Sequence, residues 1–488
     1  MSALFPRKRY PRAVLALVVA FLLMLSTTAL ASASGGRVAL QRLSSDPFTN
    51  SGSQHKTQVE PDTFSYGSTI VSVFQSGRFF GGGSSDIGWA TSTNNGATWK
   101  HGFMPGTTPY STPPGTYAAV SDASVAYDVK HNVWITSFLG LTSGNAVDVL
   151  VSRSTNGGLT WSKPVGVNKS GDFNDKNWSV CDDTASSPFY GNCYTEFDDN
   201  SLGDLEHMST STNGGKTWGA ALTPSGSPSG LGGQPLVQPN GNVIVPFEDL
   251  NGTISDFSST NGGSSWSAPV TIATIDVFSE PANIRTSPLP SAEIDGAGTV
   301  YVAWQDCRFE SGCSANDIVF STSTNGTKWS AVQRIPANPV GSGVDHFIPG
   351  IAVDKSTSGS SAHVAVTYYY FTQANCTSNC QLDVGYLSST NGGSTWSASQ
   401  QLAGPMQLTW LASTSQGYMV GDYISTSIAG NGSAFPAFEV ATAPKGSKLN
   451  EATFTVKGGL PVTGGALSSS AVVVDHGHAP APVRTTAF

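Results

Sequence analysis

Charged and aromatic residues recur where the predicted β-strands of this 488-residue chain begin or end. Paired carboxylates can transfer protons as acid and base, and a guanidinium can hold a carboxylate by two parallel hydrogen bonds. Predicted strand starts contribute Glu60, Asp62, Asp122, Asp182, Asp183, Glu280, Arg285, Asp345, His346, Asp422 and Tyr423. Predicted strand ends contribute Arg78, Glu196, Asp198, Glu248, Asp249, Asp306, Arg308 and residues 368–370, all tyrosines. The set indicates either a chemical site on one rim of the fold or a solvated rim.

A motif present in six copies indicates the elements that must position these residues. STNGGLTW occupies residues 154–161, and close copies begin at Ser92, Ser211, Ser259, Ser323 and Ser389. Asn-Gly favours a tight turn, the hydroxyls can bond the backbone of the turn, and a tryptophan can pack between neighbouring units. The motif contains no nucleophile or acid, so we interpret it as a structural joint. Its predicted wedges are Trp99, Trp161, Trp218, Trp266, Trp329 and Trp396.

The repeats predict an all-β fold. Successive motifs start 48 to 66 residues apart, and strand-like runs such as GNVIVPF at 241–247 precede them. Repeats of this length and content are typical of a β-propeller of four-stranded blades. A unit without the motif follows at residues 418–456, so seven blades are favoured over the alternative of six. We expect the propeller to span residues 37–457, with residues 37–43 closing the ring and covering a sheet edge.

Both ends of the chain predict segments outside the propeller. A basic stretch, an apolar run at 13–25 and Ala31-Ser32-Ala33 indicate a secretory signal peptide over residues 1–33, with an uncleaved anchor as the alternative. Residues 458–488 predict a disordered tail. LPVTG at 460–464 resembles a cell-wall sorting signal, but no apolar span follows it. The mature protein is therefore predicted to be secreted, without a membrane span and without cell-wall attachment.

The composition of the chain limits the ligands and cofactors that it is expected to bind. The net charge is −9 and only 12% of residues are charged, which disfavours binding to nucleic acid. Six cysteines form three local pairs, and export favours disulfides over a metal site. The pairs are Cys181 with Cys193, Cys307 with Cys313, and Cys376 with Cys380. We expect a monomer without a cofactor, while the acidic pairs at 182–183 and 198–199 leave Ca²⁺ as an alternative.

The repeated motif resembles the Asp-box, or BNR repeat, of the sialidase-like β-propellers. The family pattern is Ser-x-Asp-x-Gly-x-Thr-Trp, and here asparagine replaces the aspartate in all six copies, over residues 92–396. The resemblance implies that any active site lies on the face opposite the boxes. It also implies a tyrosine nucleophile activated by a glutamate, an aspartate as acid and base, and three arginines for a sugar carboxylate. The early Arg-x-Pro signature is absent, and Glu60-Pro61-Asp62 takes its place.

Candidate residues follow from that face. The catalytic candidates are Glu248, Asp306 and Tyr368, and the substrate-binding candidates are Arg78, Arg285, Arg308, Glu60, Asp62 and His346. We place Arg153 and Arg334 on the box face because each adjoins a box. An aspartate stands six residues before the box at Asp86, Asp148, Asp317 and Asp383, so we interpret it as a repeated structural feature. A glycoside hydrolase and a non-catalytic carbohydrate- or protein-binding propeller both remain open.

Overall fold

The computed structural model describes residues 38–469, and the predicted signal peptide lies outside this range. Within it the strands follow one another as seven antiparallel meanders. β1 (Leu40–Arg42) belongs to the seventh. The first is β2 (Gln58–Tyr66), β3 (Thr69–Arg78), β4 (Ser84–Ser92) and β5 (Lys100–Phe103), and the second is β6 (Ala119–Asp128), β7 (Val133–Leu141), β8 (Val147–Ser154) and β9 (Val165–Asn168). The all-β prediction is confirmed.

The next three meanders keep the same order. The third is β10 (Asn174–Cys181), β11 (Cys193–Asp199) and β12 (Leu205–Ser211). The fourth is β13 (Gly230–Leu231), β14 (Leu236–Val237), β15 (Val243–Asp249), β16 (Thr253–Ser259) and β17 (Val270–Thr274). The fifth is β18 (Ser291–Ile294), β19 (Val300–Asp306), β20 (Asp317–Ser323) and β21 (Gln333–Arg334).

The seventh meander includes β1, the first strand of the described chain. The sixth is β22 (His346–Val353), β23 (Val364–Phe371), β24 (Gln381–Ser389) and β26 (Gln400–Gln407), with β25 (Thr395–Trp396) beside it. A hairpin of β27 (Ala412–Thr414) and β28 (Gly417–Met419) precedes the seventh, which is β29 (Ser425–Ile428), β30 (Ser433–Ala441), β31 (Glu451–Val456) and β1, with β32 (Leu460–Pro461) also on β30. β33 (Leu467–Ser468) pairs with β25, and 3₁₀ turns occupy Asn200–Leu202, Gly359–Ser361 and Leu408–Trp410. No helix among residues 38–469 is long and apolar enough to cross a membrane.

The first strands of the meanders form a closed ring. β2 contacts β6, and contacts continue through β10, β14, β18, β22 and β29 back to β2. Side chains link neighbouring strands: Asp62 Oδ2 accepts a hydrogen bond from the Val125 amide at 2.7 Å, and Ser124 Oγ accepts one from the Ser179 amide at 3.0 Å. A ring of radially stacked antiparallel sheets is a β-propeller.

Chain closure and cysteine pairing agree with the sequence predictions. β1 pairs antiparallel with β31, so the N-terminal strand closes the last sheet. All three local disulfides are present. The predicted disordered tail is corrected for residues 458–469, where Leu460 is 4% exposed and Ser469 Oγ accepts a hydrogen bond from the Trp396 indole at 2.9 Å. Apolar burial and strand pairing hold this segment against the sheets, and residues 470–488 lie outside the described range.

The boxes are turns whose side chains bond their own backbone. Ser154 Oγ accepts a hydrogen bond from the Gly158 amide at 3.0 Å, and Asn156 Oδ1 accepts one from the Thr160 amide at 3.0 Å. The tryptophans pack against the preceding meander: Trp396 meets Phe320 edge to face with ring centroids 5.9 Å apart. These contacts support the interpretation of the motif as a structural joint.

Asparagine in the box is expected to act through its side-chain oxygen. Asn156→Ala removes the acceptor for the Thr160 amide and a 2.9 Å bond to Thr160 Oγ1, so it should lower the free energy of unfolding by about 1–2 kcal/mol. Asn156→Asp keeps the acceptor and should cost less than about 0.5 kcal/mol. Guanidinium denaturation measures both values. Equal losses in the two variants would contradict this role of the oxygen.

Candidate functional site

Backbone bulges aim charged side chains at the propeller axis. The register of β2, β6 and β10 shifts near the start of each strand, and in each shift one residue adopts a positive φ. These residues are Glu60 (φ 55°), Asp122 (φ 47°) and Lys176 (φ 32°). A bulge re-aims a side chain, and a positive φ is uncommon outside glycine. Asp422 joins the set from the residues before β29.

These side chains form a buried axial network, defined as Glu60, Asp122, Lys176, Arg285 and Asp422. Lys176 Nζ lies 3.1 Å from Asp122 Oδ1 and 3.6 Å from Glu60 Oε1, and it also contacts Asp422. Arg285 Nε donates to Asp422 Oδ1 at 2.7 Å, and its Nη2 donates to the other oxygen. Every member is at most 7% exposed.

The charges in the network determine one another's protonation. Burial opposes the charge of Lys176, but Asp122, Asp422 and Glu60 raise its pKa well above the usual value. Burial likewise disfavours the Asp422 carboxylate, but Arg285 and Lys176 hold its pKa below the usual range. Burial, followed by the charge of Asp122, raises the pKa of Glu60 to about 7. The cations are thus neutralised by carboxylates of the same chain.

The three predicted arginines do not form one anion site. Arg78 and Arg285 both interact with the charges of the axial network, but Arg78 is 2% exposed and its Nη1 donates to Gln75 Oε1 and Gly83 O, each at 3.1 Å. Arg308 instead pairs with Asp306 in the fifth meander, with Nη2–Oδ2 at 2.7 Å. Both of the donors that Arg285 directs at Asp422 are occupied, so a sugar carboxylate would have to displace an internal one.

The predicted catalytic groups lie in three different meanders, and Asp306 and Tyr368 each bond to other side chains. Asp306 is fully buried against Arg308, and the Tyr368 hydroxyl lies 2.5 Å from Ser399 Oγ. Glu248 is the penultimate residue of β15, opposite Leu231 and Ile254 in the sheet.

Two other predicted ligand residues have structural contacts. The nitrogens of His346 lie 3.1 Å from Asn316 O and 3.0 Å from Asn338 Oδ1, and the ring is fully buried. Asp62 links β2 to β6, as described above.

The aspartates that stand six residues before four of the boxes bond to neighbouring segments of the chain. Asp86 accepts a hydrogen bond from Thr107 Oγ1 at 2.7 Å, and Asp148 accepts one from the Tyr117 hydroxyl at 2.7 Å. Asp383 binds Gln401 on the outer strand β26. These contacts agree with a repeated structural role and argue against a proton donor at Asp86.

The two arginines that we placed on the box face lie on different faces in the structure. Arg153 Nε donates to Gly214 O in the next box, so it lies on the box face as predicted. The placement of Arg334 was wrong, because it pairs with Asp317 at the start of β20, away from the box. The pairing of β21 with β20 brings the guanidinium there.

A cleft beside the first meander was missed from the sequence. Phe48, Phe103 and Tyr110 line a cavity of about 490 Å³ together with Thr49, Asn50, Ser111, Thr112 and the buried Asp86. Tyr110 is 42% exposed, and the rings of Phe48 and Phe103 meet edge to face at 4.8 Å. The signal in the sequence was the long segment 104–118 between β5 and β6, since connections of this length are uncommon and often functional.

Comparison with known proteins gives structural matches only. No protein-family model matches the chain, and no curated protein matches it. A Dyadobacter fermentans protein of unknown function aligns over 72% of this chain and 98% of its own at 16% identity and a TM-score of 0.45. NanB sialidase of Streptococcus pneumoniae aligns over 86% and 71% at 14% identity and a TM-score of 0.43. The intramolecular trans-sialidase of Ruminococcus gnavus aligns over 81% and 92% at 12% identity and a TM-score of 0.39.

At these identities the matches carry no assignment of activity. The fold is assigned from the closed ring of first strands and the antiparallel meanders around it. On that basis the chain is an all-β propeller.

Proposed function

We propose that this protein is an exported propeller of the sialidase-like type that binds carbohydrate without hydrolysing it. The observation that supports binding is the cleft of Phe48, Phe103 and Tyr110, which is open and lined by aromatic rings, hydroxyls and an amide. Its volume of about 490 Å³ suits a small ligand. Aromatic faces with neutral hydrogen-bonding groups beside them match the apolar and hydroxylated sides of a sugar ring.

The cleft favours an uncharged sugar. Asp86 supplies the carboxyl group among its lining residues, and burial raises the pKa of Asp86 well above its usual value. Burial therefore disfavours a negative charge on the floor of the cleft. Lysine and arginine are absent from this described lining, so nothing there compensates the charge of an acidic sugar.

The burial of candidate acid groups disfavours hydrolysis, because a substrate cannot reach them. Most glycosidases use two carboxyl groups roughly 5–9.5 Å apart, whereas a sialidase uses a tyrosine nucleophile with an aspartate acid, and in both cases these groups must reach the sugar. Asp86 and Asp306 are both fully buried, and each is bonded to a protein group. A general acid must come within hydrogen-bond reach of its substrate. Glu248 alone of the predicted catalytic residues is partly exposed.

A second opening suits a neutral sugar less well. A cavity of about 330 Å³ on the box side is lined by Tyr66, Asp183, Glu293 and Lys355, among others. The Lys355 ammonium lies 5.3 Å from the ring centroid of Phe64. Charges of both signs favour a charged ligand there, and the cleft of the first meander is preferred for this reason.

Export and blade number belong to the same proposal. Three disulfides and the N-terminal signal pattern support an extracellular location. Each of the seven meanders within residues 38–469 supplies one strand to the ring, so we count seven blades. An experimental structure would test the count directly.

Binding is tested with neutral and sialylated glycans on an array, followed by calorimetry of the best ligand. Tyr110→Ala removes an exposed ring from the cleft and should weaken binding about tenfold, which is about 1.4 kcal/mol. Phe80→Ala is the matched control, because Phe80 is 57% exposed but lies outside the cleft lining. Equal affinity of the Tyr110→Ala variant and wild type would reject this cleft as the site.

The absence of hydrolysis is tested separately. Wild-type protein is incubated with a fluorogenic sialoside and a panel of aryl glycosides, and no turnover is expected. Turnover that disappears in Glu248→Gln with the fold intact would overturn the non-catalytic part of the proposal. Binding by the cleft could survive that result, so the two parts are decided independently.

A further inference from the structure

Four carboxylates gather on one face of the third meander. Asp198 pairs across the sheet with Asp175 on one side and with Glu206 on the other. Residues directly opposite each other in antiparallel strands share a face, and so do residues two apart in one strand. Glu196 therefore lies on this face too. We call these four residues the acidic cluster, and each is at most 1% exposed.

The acidic cluster lacks the partners that buried carboxylates require. Neither oxygen of Asp198 accepts a hydrogen bond from the described residues, although the side chain is fully buried. The four carboxyl oxygens of Glu196 and Glu206 likewise accept no hydrogen bond from the described residues. Buried charges are normally paired or bound to a metal. The cluster must therefore be neutralised by protons or by a cation.

Lys176, the neighbouring lysine, forms its ion pairs with carboxylates outside the acidic cluster. Lys176 Nζ contacts Glu60, Asp122 and Asp422, and within 4.0 Å it reaches no carboxylate of the cluster in the described structure. Asp204 and Asp249 add negative charge close to Glu206. The local surplus is thus strongly negative.

The fourth meander places further oxygen atoms beside the acidic cluster. A Cβ added to Gly233 would come within 2.6 Å of the Glu196 carboxyl carbon, so the backbone before β14 lies directly against the cluster. Asp249 ends β15 on the same side. Oxygen donors alone are the set that Ca²⁺ prefers, with six to eight ligands. Among the described residues no three cluster carboxylates have oxygens mutually within 4.8 Å, so a bound ion would draw them inward.

We propose that the acidic cluster binds a divalent cation of the Ca²⁺ class and thereby joins the third meander to the fourth. The ion would compete with protons for the same oxygens, because a carboxylate must be deprotonated to bind a metal ion. Binding should accordingly strengthen from pH 6 to pH 8.

The test uses the whole protein after EDTA treatment and removal of the chelator, with CaCl₂ as the probe. Calorimetry at pH 8 should show one ion bound, and the melting temperature should rise by several degrees. Asp198→Asn should weaken binding at least tenfold and remove the melting shift. Asp256→Asn is the control, since Asp256 is a buried carboxylate of the fourth meander outside the cluster.

A second measurement protects the test against a misfolded variant. Tb³⁺ binds oxygen ligands as Ca²⁺ does, and Trp178 lies opposite Glu196 in the sheet, where it can sensitise terbium luminescence. Wild type should give luminescence that CaCl₂ displaces, and Trp178→Phe should reduce the signal with ion affinity unchanged. No heat and no melting shift in wild type at pH 8 would overturn the proposal and leave protons as the neutralising charge. Full retention of Ca²⁺ binding by a folded Asp198→Asn variant would overturn it equally.

Discussion

Replacing Lys176 with methionine is expected to lower the free energy of unfolding by about 3–5 kcal/mol at pH 7. The lysine ammonium holds Asp122, Asp422 and Glu60 together at the axis, and all four side chains are buried. Methionine has a similar length but no charge, so the carboxylates would remain buried with Arg285 as their direct cation. Removing one partner of a buried ion pair costs far more than the pair contributes.

Chemical denaturation measures this loss, and a surface lysine provides the control. Lys169 Nζ lies 3.5 Å from Asp148, but its side chain is 55% exposed. Lys169→Met should therefore change the stability by less than about 1 kcal/mol, because solvent screens exposed pairs. If both variants lost less than about 1 kcal/mol of unfolding free energy, the axial network would not stabilise the ring as expected. At pH 5 the Lys176→Met loss should shrink, because Glu60, whose pKa is about 7, can take up a proton.

The free energy of unfolding is expected to fall as the pH rises from 6.5 to 8. Burial raises the pKa of Asp62 and Asp175 to about 7 and that of Asp256 to about 8. A raised carboxyl pKa means that the folded state holds more protons than the unfolded state. This stability is present below the unfolded pKa and is lost as the pH rises through the folded pKa, at about 1.4 kcal/mol per pH unit for each proton.

Opposing groups act outside this window. Burial lowers the pKa of His346 to about 4, so its contribution increases with pH but is complete near its unfolded value of 6.5. The lowered pKa of Asp422 matters only below its ordinary acidic range, and the raised pKa of Lys176 only above 10.5. The fall between pH 6.5 and 8 thus isolates the buried carboxyls.

Denaturation at several pH values with EDTA present measures the slope, and one isosteric variant assigns part of it. Asp256 Oδ2 accepts a hydrogen bond from the Trp329 indole at 2.8 Å. Asp256→Asn keeps that acceptor and removes the titration, so its free energy of unfolding should match that of wild type below about pH 4 and exceed it increasingly as the pH rises to 8. A pH-independent difference between the two proteins would refute this assignment.

The candidate site shows why residue types and strand positions were insufficient. Glu60, Arg285 and Asp422 were all recognised at predicted strand starts, but their pairing depends on ring closure, which brings Arg285 to Asp422 across 137 positions. Lys176 was missed because a single lysine within NDKNW carries no pattern. Its direction depends on a bulge with a positive φ. Arg308 was expected near Arg285, but Asp306, two residues away, holds it.

By itself, the sequence determined what depends on local chemistry. The box turns close within about five residues, the disulfides join neighbours 4 to 12 positions apart, and the repeated wedge tryptophans follow from the motif. These local interactions predict an all-β repeat fold, and they do not depend on which charged residues of the rim pair with one another. Only the tertiary structure decided which charges meet, because ring closure and strand register set distances between residues far apart in the chain. It thereby paired Arg285 and Arg308 with internal carboxylates, formed an aromatic cleft beside the first meander, and left the acidic cluster without a direct ion pair among the described residues.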